Sequence, residues 1–363
     1  MKTISFLIYS MDIGGTERVT FDLINALYNK GYNIYLFCLI KQGSLLNGLL
    51  IPDKNIIEIG IVKSFLGIFY LAKKLKRLLN QTKTEGFISM GEWPNIITPF
   101  VNYKGKYVLV EHNVKTFYTA PYIYNLNFPL RIFSKIAYEK ASRILCVSKN
   151  IQDLLISKNR KFKYNSYVIY NPIDFNKIKK LSNEKIEYKY QNNHIKIINV
   201  GRLTEQKNIT LLLKAFAKVK KENNNIELWL VGDGSIRTEL EELVKQLGIM
   251  DSVIFWGYQN NPYKFIYNAD FFVSSSDYEG FPLVTLETLS LKKRIITTRS
   301  ITDFDELIND DVGVVVEVNN EKQLINAMLN EINNKKTIDS IPNVLDQFTI
   351  DNILNKYLYY LNN

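Results

Sequence analysis

Short apolar runs alternate with amphipathic segments from the start of the chain. The apolar run ISFLIYS is followed by TERVTFDLINALYNKG, with apolar residues three and four apart, and then by the run NIYLFCLI. Short continuous apolar runs favour strands buried on both faces, and the spacing of three and four favours a helix. Thr16 fits the N-cap of this helix and Gly31 its end. The order predicts a βαβ unit, which requires parallel strands.

The same alternation continues and then restarts in the second half. Further strands of the first half are predicted at residues 87–90, 107–111, 144–148 and 166–170. After Asn171-Pro172-Ile173-Asp174, a polar stretch rich in Lys, Asn and Glu runs to His194 and is typical of a linker. Beyond it, strands are predicted at 195–200, 226–231, 253–256, 271–274, 294–298 and 312–318, with helices from Asn208, Ser235, Asn261, Pro282, Thr302 and Glu321.

This alternation predicts the α/β class, with two Rossmann-like parallel-sheet domains that face a central cleft. We assign residues 1–170 to the first domain, residues 171–345 to the second, and residues 346–363 to a C-terminal helix that packs back on the first. With 363 residues, of which 46% are hydrophobic, the chain is long enough to bury two cores.

The apolar run lengths, the N-terminal pattern and the cysteines indicate the compartment of the protein. No apolar run approaches the length that crosses a bilayer, and Met1–Ser10 has the pattern of a strand rather than of a signal peptide. Cys38 and Cys146 lie far apart inside apolar runs, which favours buried free thiols over a disulfide or a metal site. We expect a cytoplasmic protein in a reducing compartment.

Positive charge is concentrated in the first half. Residues 1–170 contain 23 Lys and Arg against 10 Asp and Glu, whereas residues 171–363 contain 23 against 26. In the segment 63–83, apolar and basic positions interleave; they are Phe65, Phe69, Leu71, Leu75, Leu78 and Leu79, with Lys73, Lys74, Lys76 and Arg77. Such a helix suits an anionic membrane surface, and it equally suits an outer Rossmann helix with a solvated basic face. Nucleic acid is disfavoured as a partner because the chain has no nucleic-acid-binding motif.

The loops after the strands are the expected location of the chemistry, since open parallel sheets bind ligands beyond the carboxyl ends of their strands. In the second domain, GRLTEQKN follows the first predicted strand and carries Arg202 and Lys207. GDGS follows the next strand, and Gly232 and Gly234 allow close backbone approach. Both loops suit a phosphate group.

The stretch SSSDYEGFPLVTLETL adds two carboxylates to this region. Pro282 fits the first position of a helix, and the N–H groups of Leu283 and Val284 would then attract an anion. Carboxylates accept hydrogen bonds from sugar diols, so Glu279 suits a sugar and Glu287 the ribose of a nucleotide sugar. The alternative is that Glu279 is an exposed loop residue and Glu287 a surface position.

Together these motifs resemble one family of enzymes. EGFPLVTLE resembles the E-x7-E motif of retaining glycosyltransferases of the GT-B fold, family GT4, and GRLTEQK resembles that family's donor-diphosphate motif. DIGGTERV is similar to its glycine-rich N-terminal loop. The resemblance covers nearly the whole chain. It is strongest to bacterial N-acetylhexosamine or hexose transferases that extend lipid-linked glycans, through IYSMDIGGTERV and GYQNNPYKF.

The resemblance implies a role for each site residue. Arg202 and Lys207 would neutralise the leaving diphosphate, Glu279 and His112 would contact the donor sugar, and these are the expected catalytic residues. The backbone of the segment around Trp256 would meet the base, with Trp256 itself in the core. The expected donor-binding set is Gly14, Gly15, Arg202, Lys207, Gly232, Gly234, Tyr258, Glu279, Gly280, Phe281, Leu283, Val284 and Glu287.

One segment departs from the family pattern, and a second resembles a motif of a different glycosyltransferase fold. Many relatives have a proline and a glycine pair where this chain has Arg294 and Ser300-Ile301-Thr302. Asp303-Phe304-Asp305 imitates the D-x-D metal motif of another glycosyltransferase fold, and we interpret it as acids that start a helix. We therefore expect no metal in catalysis and no cofactor.

The resemblance implies retaining transfer of GalNAc, GlcNAc or Gal from a UDP-sugar. The implied acceptor is a polyprenyl-diphosphate-linked glycan at the inner face of a bacterial plasma membrane, and the implied product is the α anomer. Alternatives on the same fold are a GDP-mannose-dependent mannosyltransferase and a nucleotide-sugar epimerase. A nicotinamide-dependent dehydrogenase is disfavoured because DIGGTERV lacks the G-x-G-x-x-G turn.

Overall fold

The computed structural model describes residues 2–12, 14–61, 65–113, 128–187, 193–300, 307–334, 336–340 and 343–362. The chain divides into two compact units. The first comprises Met1–Pro172 with Gln347–Asn363, and the second comprises Ile173–Asp346.

The first unit contains a seven-stranded parallel sheet. Its strands are β1 (Thr3–Ile8), β2 (Asn33–Cys38), β3 (Ile56–Glu58), β4 (Gly86–Met90), β5 (Lys106–Glu111), β6 (Ile144–Cys146) and β7 (Ser166–Val168), in the spatial order β3-β2-β1-β4-β5-β6-β7. Its first helices are α1 (Gly15–Asn29), α2 (Phe65–Gln81), α3 (Glu92–Ile97), α4 (Phe128–Lys140) and α5 (Lys149–Lys158). All six residues of β1 are buried, as expected for a central strand covered on both faces.

The second unit repeats this plan with six parallel strands. They are β8 (Ile195–Val200), β9 (Ile226–Val231), β10 (Val253–Gly257), β11 (Phe271–Ser274), β12 (Arg294–Thr298) and β13 (Gly313–Val316), in the order β10-β9-β8-β11-β12-β13. Its helices are α6 (Phe175–Ser182), α7 (Ile209–Glu222), α8 (Arg237–Gln246), α9 (Tyr263–Asn268), α10 (Leu283–Ser290) and α11 (Glu321–Asn334). Both sheets therefore have Rossmann-like order.

The last helix, α12 (Ile350–Asn362), belongs to the first unit. It contacts α1, β4 and β5, and it buries Ile353, Leu354 and Leu361. The Tyr360 ring lies 4.5 Å from that of Tyr167, and the Tyr360 carbonyl accepts a hydrogen bond of 3.0 Å from Arg143. The chain thus returns to its first sheet after completing the second.

Several element boundaries differ from the sequence prediction. The N-cap of α1 is Gly14 rather than Thr16, which lies within the helix. The expected linker contains α6, because Asp174 caps it by accepting a 2.9 Å hydrogen bond from Lys177 N and Ile178 is buried. Sequence patterns also missed β3, whose three residues are too few to show a periodicity.

Helix α2 bears on the two alternatives left open for this segment, a membrane-surface helix and an outer Rossmann helix. Leu71, Leu75 and Leu79 lie in the core of the first unit, so this face is that of an outer Rossmann helix. Different apolar residues remain exposed at the start of the helix, where Leu66 is 75% and Tyr70 64% exposed. Among the described residues, no helix is long and apolar enough to span a bilayer.

The cysteines are free and buried, as predicted. Burial raises the pKa of the Cys38 thiol to about 12 and that of Cys146 well above its usual value. Neither thiol forms a reactive thiolate at neutral pH.

Candidate functional site

The second sheet reverses its strand order between β8 and β11. Parallel sheets bind ligands at such a reversal, beyond the carboxyl ends of the strands. GRLTEQKN follows β8 and SSSDYEG follows β11, so the two motifs leave neighbouring strands at the same edge. The topology explains why motifs about 70 residues apart in sequence form one site.

Hydrogen bonds join these two loops directly. They run from Asp277 N to Gln206 O (2.9 Å), from Gln206 Nε2 to Tyr278 O (2.8 Å), from Asn208 Nδ2 to Asp277 Oδ1 (2.8 Å), and from Ser275 Oγ to the carbonyls of Lys207 and Asn208 (2.9 Å each). Asn208 takes a left-handed backbone conformation, with φ of 45°, and caps α7 through Leu211 N. The loops therefore hold each other in a fixed register.

Lys207 and Glu279 form an ion pair at the centre of this contact. Lys207 Nζ lies 2.5 Å from Glu279 Oε1, and Ser276 Oγ donates to the same oxygen at 2.7 Å. Glu279 is 7% exposed, which shows that the exposed-loop alternative is wrong. This arrangement brings together a buried carboxylate, a cation and a hydroxyl, groups that can bind charged or hydroxylated ligands.

Glu287 lies on α10 and is also buried, at 2% exposure, so the surface alternative is wrong for this residue too. Its Oε1 accepts a hydrogen bond of 3.0 Å from the hydroxyl of Tyr263 on α9, a residue that is itself 2% exposed. Two adjacent helices therefore hold this carboxylate in place.

The start of α10 differs from the expected anion site. Pro282 is the N-cap, and Leu283 is the first helical residue. Leu283 N donates to the carbonyl of Phe281 at 3.0 Å, so this N–H is not available as predicted. Gly280, Leu283 and Val284 are half-buried, and Phe281 is buried. A role for Val284 N in holding an anion stays a prediction.

Gly232 and Gly234 are required by contacts within the protein. A Cβ on Gly232 would lie 1.9 Å from the carbonyl oxygen of Gly201, and one on Gly234 would lie 2.2 Å from that of Leu203. Gly232 also has φ of 142°, which only glycine adopts readily. The close approach predicted from these glycines is therefore made to the backbone of the loop after β8. Their contact with a phosphate stays a prediction.

The loop after β10 joins the same edge. Gly257 O accepts a hydrogen bond of 2.8 Å from Gly232 N, and the next residue, Tyr258, is 49% exposed. The Trp256 ring packs against Trp229 and Phe265, as expected for a core residue. The half-exposed Tyr258 thus directly follows the residue that contacts the glycine loop.

Two arginines of this edge differ in their surroundings. Arg202 is exposed, and within the described part of the chain its side chain has no hydrogen bond or ion pair. Arg237, which sequence reasoning missed, forms ion pairs with Asp233 at 2.9 Å and Glu241 at 2.8 Å. Arg202 is the cation that can receive an anionic ligand without first leaving a partner.

Arg294 has a structural role that explains its departure from the family pattern. It is 3% exposed and forms a two-pronged pair with Glu331, with both N–O distances at 2.7 Å. It also donates to the carbonyls of Asp310 and Asp311. This guanidinium ties β12 to α11 and lies outside the site.

Part of the loop after β12 supports the Glu279 turn. Ser300 O accepts a hydrogen bond from Glu279 N at 3.3 Å, and the Thr298 hydroxyl donates to Ser276 O at 2.5 Å. Residues 301–306, with the predicted helix start at Thr302 and the Asp303-Phe304-Asp305 triplet, lie outside the described residues. In the chain that is described, no three His, Cys, Asp or Glu side chains are grouped closely enough to hold a metal ion.

In the first unit, His112 follows the end of β5 and is 7% exposed. Burial lowers its pKa to about 3, so the imidazole is neutral at physiological pH. Its Nε2 has no hydrogen-bond partner among the described residues, which exclude the following segment 114–127. A neutral imidazole with an unused nitrogen can accept from or donate to a hydroxyl.

Glu111, which sequence reasoning missed, supports the turn that carries His112. It is fully buried, and it accepts hydrogen bonds from the Tyr138 hydroxyl and, at 3.0 Å, from Asn113 N. Burial raises the pKa of Glu111 to about 7, although these hydrogen bonds lower it in part. The sequence contained a signal for it, because a charged residue rarely ends a buried apolar strand.

Gly14 and Gly15 follow β1, at the same carboxyl edge of the first sheet as His112. Gly14 is the N-cap of α1, and its carbonyl accepts a hydrogen bond of 3.0 Å from Arg18 N. Gly15 opens the helix, and a Cβ there would meet nothing within 4 Å. This open space permits a ligand to approach, and the predicted contact with the donor stays a prediction.

Family models match both halves of the chain. The model described as Glycosyltransferase Family 4 matches residues 13–177, and the one described as Glycosyl transferases group 1 matches residues 182–342. The chain is 30% identical to the N-acetylgalactosamine-N,N'-diacetylbacillosaminyl-diphospho-undecaprenol 4-alpha-N-acetylgalactosaminyltransferase of Campylobacter jejuni, over 90% of this chain and 89% of that one. A second Campylobacter jejuni alpha-1,4-N-acetyl-D-galactosaminyltransferase is 26% identical over 99% of this chain and 98% of its own.

Solved structures share the fold. The Anabaena protein HepE, crystallised with UDP and glucose, has a TM-score of 0.79 at 19% identity over the whole of both chains. The lipopolysaccharide outer core galactosyltransferase WaaB has a TM-score of 0.73 at 17% identity over 99% of each. With the two parallel sheets, this likeness confirms the predicted GT-B fold.

Proposed function

Because the chain belongs to the family 4, group 1 glycosyltransferases, we propose that it transfers a hexose or N-acetylhexosamine from a UDP-sugar to a lipid-linked glycan. The observation that carries the proposal is the direct contact between the loops after β8 and β11, centred on the Lys207–Glu279 pair. This contact joins a cation for a diphosphate to an acid for sugar hydroxyls in one polar site.

The donor roles follow from the charges of that site. Arg202 and Lys207 neutralise the diphosphate, Glu279 accepts hydrogen bonds from the sugar, and Glu287 accepts them from the ribose. N-acetylgalactosamine is the leading candidate sugar, since two similar Campylobacter jejuni enzymes are named for its transfer. N-acetylglucosamine and galactose remain in the proposal, and a GDP-mannose-dependent mannosyltransferase or a nucleotide-sugar epimerase is the alternative on this fold.

In the proposed reaction the bond between the anomeric carbon and the diphosphate oxygen breaks as the acceptor oxygen attacks, and the proton of the acceptor hydroxyl passes to an oxygen of the departing diphosphate. Negative charge grows on the departing diphosphate, and Arg202 and Lys207 stabilise it more strongly than they stabilise the intact donor. Attack on the face that the leaving group vacates retains configuration and gives the α product. The neutral His112 imidazole contacts a hydroxyl of the sugar.

The acceptor is proposed to be a polyprenyl-diphosphate-linked glycan, which would bring the first unit to an anionic membrane surface. Leu66, Tyr70, Lys73 and Arg77 are exposed and lie three or four residues apart, so they form one stripe along α2. Since α2 follows β3 in a parallel sheet, the stripe begins near the carboxyl edge, where His112 lies. Apolar residues next to cations suit the headgroup region of acidic lipids at the cytoplasmic face.

A transfer assay tests the proposal. The purified chain is incubated with UDP-GalNAc, UDP-GlcNAc, UDP-Gal or GDP-mannose and a polyprenyl-diphosphate-linked oligosaccharide, and NMR gives the anomer of the product. One UDP-sugar should give an α-linked product, and EDTA should leave its rate unchanged. A β product would overturn the retaining assignment. Turnover of a nucleotide sugar without any acceptor would favour the epimerase.

A further inference from the structure

Two donors of different kind converge on a single oxygen of Glu279. Lys207 Nζ reaches Oε1 at 2.5 Å and Ser276 Oγ reaches it at 2.7 Å. Within the described residues, none of the hydrogen bonds of this carboxylate ends on Oε2. The second oxygen is therefore the one left for a ligand.

The two hydrogen-bond donors, Lys207 and Ser276, respond differently when the nucleotide sugar binds. Ser276 is neutral, 1% exposed, and held through its own carbonyl by Thr298. Lys207 is a cation whose side chain is 22% exposed and lies in the same loop as Arg202. A diphosphate carries more negative charge than a carboxylate and attracts the ammonium more strongly. Ser276 has no charge to exchange.

We propose that Ser276 is the residue that positions Glu279 for sugar recognition, while the Lys207–Glu279 ion pair is a contact of the donor-free enzyme that the diphosphate displaces. This inference rests on the proposed function of the site. Lys207 moves from the carboxylate to the phosphate oxygens, and the Ser276 hydroxyl keeps Glu279 Oε1 in place. The hydroxyls of the sugar then replace the ammonium as partners of the carboxylate.

The exchange has an unequal effect on the two ligands UDP and UDP-GalNAc. When UDP binds, its diphosphate pairs with Lys207, and the buried Glu279 carboxylate loses this partner. UDP supplies no hydroxyl in its place, which is unfavourable. UDP-GalNAc takes the same cation but supplies hydroxyl donors in return. The ion pair therefore weakens the affinity for UDP more than that for the complete donor, which favours release of the spent nucleotide.

The Ser276→Ala variant tests the positioning role by isothermal titration with both ligands. We expect the affinity for UDP-GalNAc to fall about tenfold, the loss of one hydrogen bond to a charged group, with kcat also lowered and the affinity for UDP unchanged. Ser276→Thr, which keeps the hydroxyl, should restore both. Ser252→Ala, at a buried serine before β10 on the opposite edge of the sheet, is the matched control. Equal loss for the two ligands, or no loss, would overturn the role.

The Glu279→Gln variant tests the displaced ion pair. Lys207 is then no longer held by a carboxylate, so the affinity for UDP should rise about threefold or more, whereas the affinity for UDP-GalNAc should fall. A weaker or unchanged affinity for UDP would contradict the exchange. Failure of the proposed function looks different, because the unmodified enzyme would then bind neither UDP nor GDP in the same titrations.

Discussion

At the scale of single residues, the candidate site depends on pairs rather than on isolated side chains. Glu279 is held by Lys207 and Ser276, and Glu287 by Tyr263, whereas Arg202 is exposed. A side chain that binds a ligand must either give up these hydrogen bonds and ion pairs or keep them and form additional ones. The effect of each substitution therefore depends on the partner that it leaves behind.

Removal of either proposed diphosphate cation should slow transfer. Arg202→Ala and Lys207→Ala should each lower kcat/KM about 10²–10³-fold, because each removes a charge that stabilises the departing diphosphate. Initial rates with the preferred UDP-sugar measure this. Lys218→Ala is the control, since Lys218 pairs with Glu321 on the surface at 61% exposure. If all three variants lost activity equally, the cations would have no specific role.

Tyr263→Phe should destabilise the second unit and weaken donor binding. The substitution removes the 3.0 Å hydrogen bond to Glu287 without changing the shape of the ring. Loss of a partner by a buried charged group costs about 1–3 kcal/mol of unfolding free energy, which urea denaturation measures. Tyr267→Phe is the control on the same helix, where the ring is 48% exposed. An unchanged unfolding midpoint would contradict the buried bond.

At the scale of elements, the ends of the strands carry the chemistry and the ends of the helices are less regular. Strands β8, β9, β11 and β12 have the predicted bounds, because each is a short run composed mainly of apolar or β-branched residues. The start of α10 does not match, since Leu283 N bonds to Phe281 and Pro282 precedes the helix. Helix starts depend on local hydrogen bonds, which residue type alone does not determine.

The sequence predicts which loops form the site, but not the hydrogen bonds between its side chains. Glu279, Glu287, Arg202 and Lys207 lie in recognisable motifs, and the strand order brings their loops together. The partnership of Tyr263 with Glu287 joins two helices across 24 positions and leaves no pattern in the chain. The two glycines of GDGS were predicted to allow close approach, but the sequence could not show that a neighbouring loop fills the space.

The end of β5 should make stability depend on pH. The pKa of Glu111 is raised from 4.5 to about 7 by burial, so the folded chain binds this proton more tightly and loses stability as pH rises through that range. The pKa of His112 is lowered from 6.5 to about 3, so its contribution is lost as pH falls through that range. Glu111→Gln should remove the first dependence and leave the second.

Urea denaturation at a series of pH values measures both effects. The difference in unfolding free energy between the unmodified chain and Glu111→Gln should change by on the order of 2 kcal/mol between pH 4.5 and 7. Glu222→Gln, at an exposed carboxylate on α7, is the control. A difference that does not vary with pH would show that Glu111 ionises normally in the folded chain.

At the scale of the whole molecule, net positive charge and large exposed apolar side chains are concentrated in the first unit. The excess of Lys and Arg over Asp and Glu lies in residues 1–170, and the stripe of Leu66, Tyr70, Lys73 and Arg77 belongs to the same unit. This distribution is the one that the proposed function needs, in which the first unit contacts acidic lipids and the second binds the nucleotide sugar.

Substitutions in this stripe should weaken binding to acidic membranes. Leu66→Glu with Tyr70→Ser should lower co-sedimentation with vesicles that contain phosphatidylglycerol about tenfold. The substitutions remove apolar area that the lipid would bury, and they add a negative charge that the acidic lipids repel. Tyr164→Ser is the control at another exposed tyrosine, 81% accessible. Binding should also fall as salt increases. Equal binding by all variants would exclude the stripe as the contact.

The buried state of Cys38 and Cys146 has a practical consequence for such measurements. Thiol-directed dyes react only with accessible thiolates, so the unmodified chain should stay unlabelled under native conditions. A single cysteine introduced at Leu66 or at Tyr258 would then carry a fluorophore alone, without prior removal of the natural thiols. Emission from the first position would report lipid immersion, and emission from the second would report nucleotide occupancy, in one and the same folded protein.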